Sequence, residues 1–296
     1  MTRRPTLLDG GMGRELLRIG APFRQPEWSA LALTEGPERV VEAHRNFIAA
    51  GAEVITTNAY AVVPFHISAE RFTAEGRDLA HTAGRLAREA ADGADRAVRV
   101  AGSLPPLFGS YEPELFDQAA APDVIDPLVD GQRAHVDLWL AETLGSIAEA
   151  YEVRRALDRA GDTKRLWISY ALHRTTPGLL LSGESVDDAT AAALDLGATA
   201  VLFNCSPAEA ITDAVRVAVP RAGTAAEVGG YANRFTTAHT DETHAANSGL
   251  SRFRDDLDPP TYASMAHQWV ADGASLVGGC CGIEPAHIAA LAAAFD

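Results

Sequence analysis

The sequence predicts an α/β chain folded as a (β/α)8 TIM barrel, one domain spanning residues 1–296. Three observations predict it. Eight short apolar runs alternate with longer alanine-rich stretches of helical pattern. The runs are continuously apolar, as strands of a parallel sheet buried on both faces must be. No obvious linker divides the chain, and barrels of this kind reach roughly 250 residues or more as one domain.

The strand runs fall at residues 6–8, 54–57, 98–101, 136–141, 166–170, 199–203, 224–228 and 275–277. Between them the helical patterns cover 37–50, 73–91, 121–133, 147–160, 186–196, 207–217, 260–271 and 285–294. Pro37, Pro207 and Pro285 each stand where a helix would begin, a position at which the missing N–H costs nothing. The 121–133 unit is the least regular, because Pro122 and Pro127 interrupt it. Two irregular stretches, 104–117 and 232–258, follow strands. That position puts them on the C-terminal rim, as lids over a site.

Composition narrows the function classes. With 25 Lys and Arg against 40 Asp and Glu the formal charge is −15. Such a field repels nucleic acid and favours a cationic small molecule, though surplus surface carboxylate also simply aids solubility. No apolar run approaches the ~20 residues of a membrane span. The start carries two arginines with no apolar stretch behind them, so no secretory signal is expected and the location expected is the cytoplasm. The three cysteines, Cys205, Cys280 and Cys281, are too few for a disulfide framework.

Their placement carries the chemistry. Cys205 ends the sixth strand run, and Cys280 and Cys281 end the eighth, inside Gly278-Gly279-Cys280-Cys281-Gly282. All three therefore lie on the rim where such barrels keep their active sites. Neighbouring residues of a regular strand face opposite ways, so both vicinal thiols reach one ion only if the backbone turns irregular, a freedom the glycines supply. Three thiolates and one open position suit zinc. That centre is a poor activator of water, but a substrate thiol entering the fourth position would lose its proton and remain a nucleophile. The plain alternative is three small buried hydrophobes; three thiols at strand ends within a glycine cluster favour the metal.

At this point the chain resembles the homocysteine S-methyltransferase family over nearly its whole length. The segments that carry the resemblance are Leu8-Asp9-Gly10-Gly11-Met12-Gly13, Trp28-Ser29-Ala30, the run from Ala50 to Tyr60, Ala101-Gly102-Ser103-Leu104, Glu142-Thr143, Asn204-Cys205 and Val277-Gly278-Gly279-Cys280-Cys281-Gly282. The resemblance implies a barrel with zinc on Cys205, Cys280 and Cys281 and homocysteine sulfur as the exchangeable ligand. It further implies that Glu142 holds the amino group of the acceptor and that Asp9, Gly10 and Gly11 touch the amino acid; for Asp9 a helix cap or turn is the competing role. Asn58 and Tyr60, at the end of strand two, are expected near substrate or metal, and Asn233, after strand seven, near substrate. His239 and His244, in the polar loop, could meet a metal, although surface roles suit them better. Phe108, Tyr111 and Phe116 could cover the donor.

The partners implied are homocysteine and a methyl donor. The chain ends at Asp296, soon after its eighth unit, like the compact members of the family that accept sulfonium donors. S-methylmethionine is therefore the first expectation and S-adenosylmethionine the second. Other readings stay open: another thiol or a selenol as acceptor, or a non-catalytic zinc- or thiol-sensing barrel. A metallohydrolase fits the thiols poorly, since such sites favour histidine and carboxylate ligands. The run from Gly11 to Leu16 has leucine where a dinucleotide fingerprint needs its third glycine.

Overall fold

The computed structural model describes residues 4–236 and 253–296. Eight strands form the centre: β1 (Thr6–Leu7), β2 (Val54–Thr56), β3 (Arg99–Leu104), β4 (Leu138–Leu144), β5 (Arg165–Tyr170), β6 (Ala200–Asn204), β7 (Glu227–Ala232) and β8 (Leu276–Gly279). Each pairs in parallel with the next in sequence from β2 to β8, and β8 pairs with β1. The ring closes through a parallel bridge between Leu8 and Val54, with Asp9 N–H donating to the Val54 carbonyl at 3.0 Å.

The helices are α1 (Met12–Arg18), α2 (Ala32–Glu35), α3 (Pro37–Ala49), α4 (Pro64–Ile67), α5 (Ala69–Asp92), α6 (Ala121–Gln132), α7 (Ile147–Arg159), α8 (Val186–Asp195), α9 (Ala208–Ala222), α10 (Pro259–Ala271) and α11 (Pro285–Phe295). Several starts are written in the sequence. Ser146 and Glu149 make a reciprocal capping box on α7, Ser185 caps α8, and Asp258 caps α10. Among the described residues no helix is long and apolar enough to cross a membrane.

Apolar burial occurs in two layers. Leu8, Val54, Leu140, Trp167, Leu202 and Leu276 fill the inside of the barrel. A larger layer, including Phe47, Ile55, Leu79, Trp139 and Ile168, lies in the other apolar cluster, with residues of strands and helices together. Each large apolar side chain fully buried in this way contributes roughly 1.5–3 kcal/mol.

Two elements depart from the sequence expectation. The seventh strand is Glu227–Ala232 rather than 224–228. Gly229 and Gly230 lower its β propensity and hid its second half. The 121–133 unit is one continuous helix despite its prolines. Pro122 lies in the first turn, where no donor is needed. Pro127 forfeits a backbone bond, but Val124, Ile125, Leu128 and Val129 are all buried, and that burial outweighs a cost of about 3 kcal/mol.

Candidate metal centre and substrate cavity

The three thiols converge on the C-terminal rim, their sulfurs all within 4.8 Å of one another. Cys205 follows β6 directly; Cys280 and Cys281 follow β8, with β7 between the two strands. The backbone does turn irregular here. Cys205 has φ 48° and Gly282 has φ 80°. Gly279 serves by space instead: a Cβ there would stand 2.1 Å from Ile283 Cγ2. Cys205 Sγ lies 2.9 Å from Cys280 Sγ and 3.7 Å from Cys281 Sγ. Around a tetrahedral ion with bonds of about 2.3 Å, sulfurs stand roughly 3.8 Å apart. One spacing is already of that order and the other needs to open by less than an ångström. Hydrogen bonds with Cys280 and Cys281, with a further one from the Tyr111 hydroxyl, hold the Cys205 thiol well below its ordinary pKa despite its burial. Cys280 and Cys281, which share these bonds, are pushed up. A thiolate with two more thiols beside it is a soft, sulfur-rich donor set suited to a metal ion.

Asn204 ties this cluster to the neighbouring strand. Its Oδ1 accepts from Thr143 N–H at 2.9 Å and from Ser169 Oγ at 2.8 Å. Its Nδ2 donates to Thr143 Oγ1 at 2.8 Å and lies 3.9 Å from Cys280 Sγ. Thr143 has φ 62°, and the β4–β5 register shifts between Ala141 and Leu144. Such a bulge re-aims side chains, and Glu142 lines the cavity beside the thiols.

Glu142 is 9% exposed and Asp9 5%. Ser103 Oγ donates to Glu142 Oε1 at 2.5 Å, yet burial pushes the carboxyl up to about 8. Asp9 accepts from Thr56 N–H at 2.8 Å and from Thr56 Oγ1 at 3.2 Å, and burial raises it to about 7. Asp9 therefore ties the end of β1 to β2. It is not a helix cap, since Gly11 occupies that position on α1 with no side-chain bond.

A cavity of about 760 Å³, its open mouth included, joins these groups. Asp9, Gly10, Gly11, Asn58, Tyr60, Glu142 and all three cysteines line it, so of the residues expected to hold the metal or the amino acid the structure brings together all but Asn233. Asn233 instead donates from Nδ2 to the Cys205 carbonyl at 2.7 Å and faces a second, smaller cavity. Asn58 donates to the Ser29 carbonyl at 2.9 Å, and Gly11 N–H is taken by the Ile283 carbonyl at 2.9 Å. Tyr60 OH pairs with Ser110 Oγ at 2.8 Å. The tyrosine on the thiol cluster is Tyr111, whose hydroxyl lies 2.9 Å from Cys205 Sγ. Phe108 and Phe116 pack on each other, with ring centroids 6.2 Å apart, away from the cavity wall. His239 and His244 lie outside the described residues.

Trp28, Tyr111, Thr143 and Cys205 all combine a place on the cavity wall with a positive φ. A left-handed conformation in such residues costs of order 1–3 kcal/mol each, and it concentrates at sites where side chains must be aimed. Sequence reading missed Thr143 and Asn204 as organisers, because a bulge and a cross-strand clamp leave no local pattern.

Fold and site together define a barrel enzyme whose rim gathers three thiols and two buried acids in one cavity. Residues 6–295 match the profile of the homocysteine S-methyltransferase family, and the chain belongs to that family. It is 30% identical to the homocysteine S-methyltransferase of Escherichia coli (strain K12), over 97% of this chain and 94% of that one. It is 28% identical to the selenocysteine methyltransferase of Astragalus bisulcatus, over 95% and 90%. The metallated form of the homocysteine methyltransferase MmuM from Escherichia coli superposes with a TM-score of 0.79 at 28% identity, covering 98% of this chain and 96% of that one.

Proposed function

We propose that this protein moves a methyl group from a sulfonium donor, S-methylmethionine before S-adenosylmethionine, to the thiol of homocysteine, giving methionine. The observation that carries the proposal is the convergence of Cys205, Cys280 and Cys281 with Glu142 and Asp9 on one cavity. The whole chain acts as one homocysteine-binding barrel, in a cytoplasm that keeps its thiols reduced.

Cys205, Cys280 and Cys281 would hold the ion, and zinc suits three sulfur ligands best. Zinc supplies one thing: a substrate thiol beside it is a thiolate at neutral pH. The protein does the rest. Glu142 and Asp9 meet the acceptor's ammonium, which draws both carboxyls back to their charged forms. Asn204 and the Thr143 bulge hold Glu142 and Cys280 in register. Trp28, Tyr60, Tyr111 and Tyr231 give the cavity aromatic walls, which favour a cation without trapping it as a carboxylate would. The homocysteine sulfur attacks the donor's methyl carbon. A new carbon–sulfur bond forms, the old one breaks, and its electron pair leaves with the donor sulfur, now a neutral thioether.

The test is a donor panel with homocysteine and zinc-loaded protein, following methionine. Faster turnover with betaine or methyl-folate than with either sulfonium would overturn the donor. No methyl transfer from any donor would favour a thiol-sensing role instead. The likeness to a selenocysteine methyltransferase makes a selenol acceptor worth a parallel arm.

A further inference from the structure

A sulfonium donor methylates thiolates, and on the proposed function it meets the acceptor's sulfur beside three sulfurs of the protein itself. Something must direct the methyl group to the first. Cys205 is the protein sulfur most at risk. It lines the main cavity and also the smaller one, about 440 Å³ with its mouth; of these two cavities Cys280 and Cys281 line only the main one.

Tyr111 is set against that sulfur. Its hydroxyl donates to Cys205 Sγ at 2.9 Å. Among the described residues no other hydroxyl bonds any of the three sulfurs, and the Asn204 amide comes no nearer to Cys280 Sγ than 3.9 Å. Tyr111 also lines both cavities, so it stands with Cys205 in the wall between them. The loop after β3 is built to hold this aim. Ser110 is buried, and its Oγ pairs with Tyr60 OH at 2.8 Å. Tyr111 itself takes φ 67°, a conformation kept only where the surroundings enforce it. Past it, Pro113 begins a single turn and sits so close to Gly145 that a Cβ there would stand 2.9 Å from Pro113 Cβ.

A hydrogen bond to a thiolate is charge-assisted and strong. It ties up electrons that would otherwise attack carbon, and the nucleophilicity of a thiolate falls with its proton affinity. A tyrosine hydroxyl has one proton to give. Given to Cys205 Sγ, it is withheld from the acceptor's sulfur, which remains the better nucleophile. We propose that Tyr111 guards Cys205: its hydroxyl bond keeps the donor from methylating the protein and leaves the methyl group to the acceptor. This rests on the methyl-transfer reading above. Without the bond, Cys205 Sγ attacks the donor's methyl carbon. A carbon–sulfur bond forms, the donor's own breaks, and its electron pair leaves with the donor sulfur as a neutral thioether. Cys205 becomes a thioether too, and the thiolate that held the ion is gone. Acting through Cys205 rather than on the substrate, Tyr111 is a specificity-determining residue.

The experiment incubates zinc-loaded wild type and Tyr111→Phe with S-methylmethionine in the absence of homocysteine, and in parallel with iodomethane, which needs no donor pocket. Peptide mass spectrometry follows the added methyl on Cys205, Cys280 and Cys281 in one digest, and a chromogenic chelator follows zinc release. Wild type is expected to spare Cys205 with both reagents. Tyr111→Phe should methylate Cys205 at least tenfold faster than wild type, with Cys280 and Cys281 changed less than twofold, and should release zinc in step. Wild type methylated first at Cys205, or a variant in which the three cysteines keep their wild-type ratio, would overturn the guard. So would a variant that loses zinc before any methyl is added, since the tyrosine would then be holding the ion. A wild type that makes no methionine from S-methylmethionine and homocysteine overturns the donor reading instead, and the iodomethane arm still decides the role of Tyr111.

Discussion

Asn204 holds Thr143 at two points, accepting from its backbone N–H and donating to its hydroxyl, while the same amide reaches toward Cys280 Sγ. One side chain therefore couples the aim of Glu142, next to Thr143, to the position of a thiol. Asn204→Ala should weaken zinc binding by 10–100-fold, the usual effect of losing a partner that orients a ligand. It should also raise KM for homocysteine. A chelator-competition titration and steady-state kinetics measure both, and an unchanged zinc affinity would show that the clamp serves β4 alone.

The thiols set a second expectation. Cys205→Ala, Cys280→Ala and Cys281→Ala should each lose the metal, about one ion per chain, together with activity. In chelated protein under mild oxidation with diamide, the disulfide should join Cys205 to Cys280, the pair 2.9 Å apart, rather than the two adjacent residues. Peptide mapping distinguishes the two. Zinc-loaded protein should resist the same treatment. A vicinal 280–281 disulfide as the main product would contradict the geometry.

Glu142→Gln keeps the shape of the side chain and removes its charge. Homocysteine binding should weaken by ~1.5–3 kcal/mol, the worth of a charged hydrogen bond, with zinc content unchanged. Since burial holds the free carboxyl at about 8, an arriving ammonium should expel a proton from it at pH 7. Calorimetry in buffers of different ionisation enthalpy should show more protons released by wild type than by the variant. Equal release would mean that Glu142 is already ionised, or that it does not meet the ammonium.

A stability profile follows from the same burial. Asp9 and Glu149 are raised to about 7 and Glu142 to about 8, each by desolvation first. These folded-state values exceed those of the unfolded chain, so their contribution is fully present below about pH 4 and is lost as pH rises through 7 to 8. Urea denaturation of the ligand-free protein should therefore show stability falling from pH 6 to 8.5, and Glu142→Gln should flatten that fall. A profile that rises across this window would mean that other groups dominate.

Much of this was legible in the sequence. Strands and helices announce themselves by apolar period and by proline at helix starts, and thiols at strand ends declare themselves by residue type. What was not legible is contact across the barrel. Tyr111 sits on the thiol cluster, where Tyr60 was the expected neighbour, because Tyr111 belongs to a loop whose path no period encodes. Asn233 supports Cys205 from behind for the same reason: its position along the chain says that it is on the rim, not which cavity it faces. Pro127 argued against a helix locally and was overruled by burial that only the fold supplies. Thr143 stood out only as part of the Glu142-Thr143 segment; its bulge carried no signal, since a bulge exists only relative to a partner strand.

The rim thiols sit on two strands with a third between them, 75 and 76 residues apart in sequence. A ribosome adding roughly 5–20 residues per second delivers Cys205 about 4–15 s before its partners. Throughout that interval Cys205 is a solitary sulfur, with no vicinal pair to exchange with and no second ligand to trap a passing ion. The three sulfurs stand together only once β8 lies between β7 and β1. On the proposed function, metal capture therefore comes after the final strand has docked, and a chain whose β8 has not docked cannot offer an ion all three sulfurs.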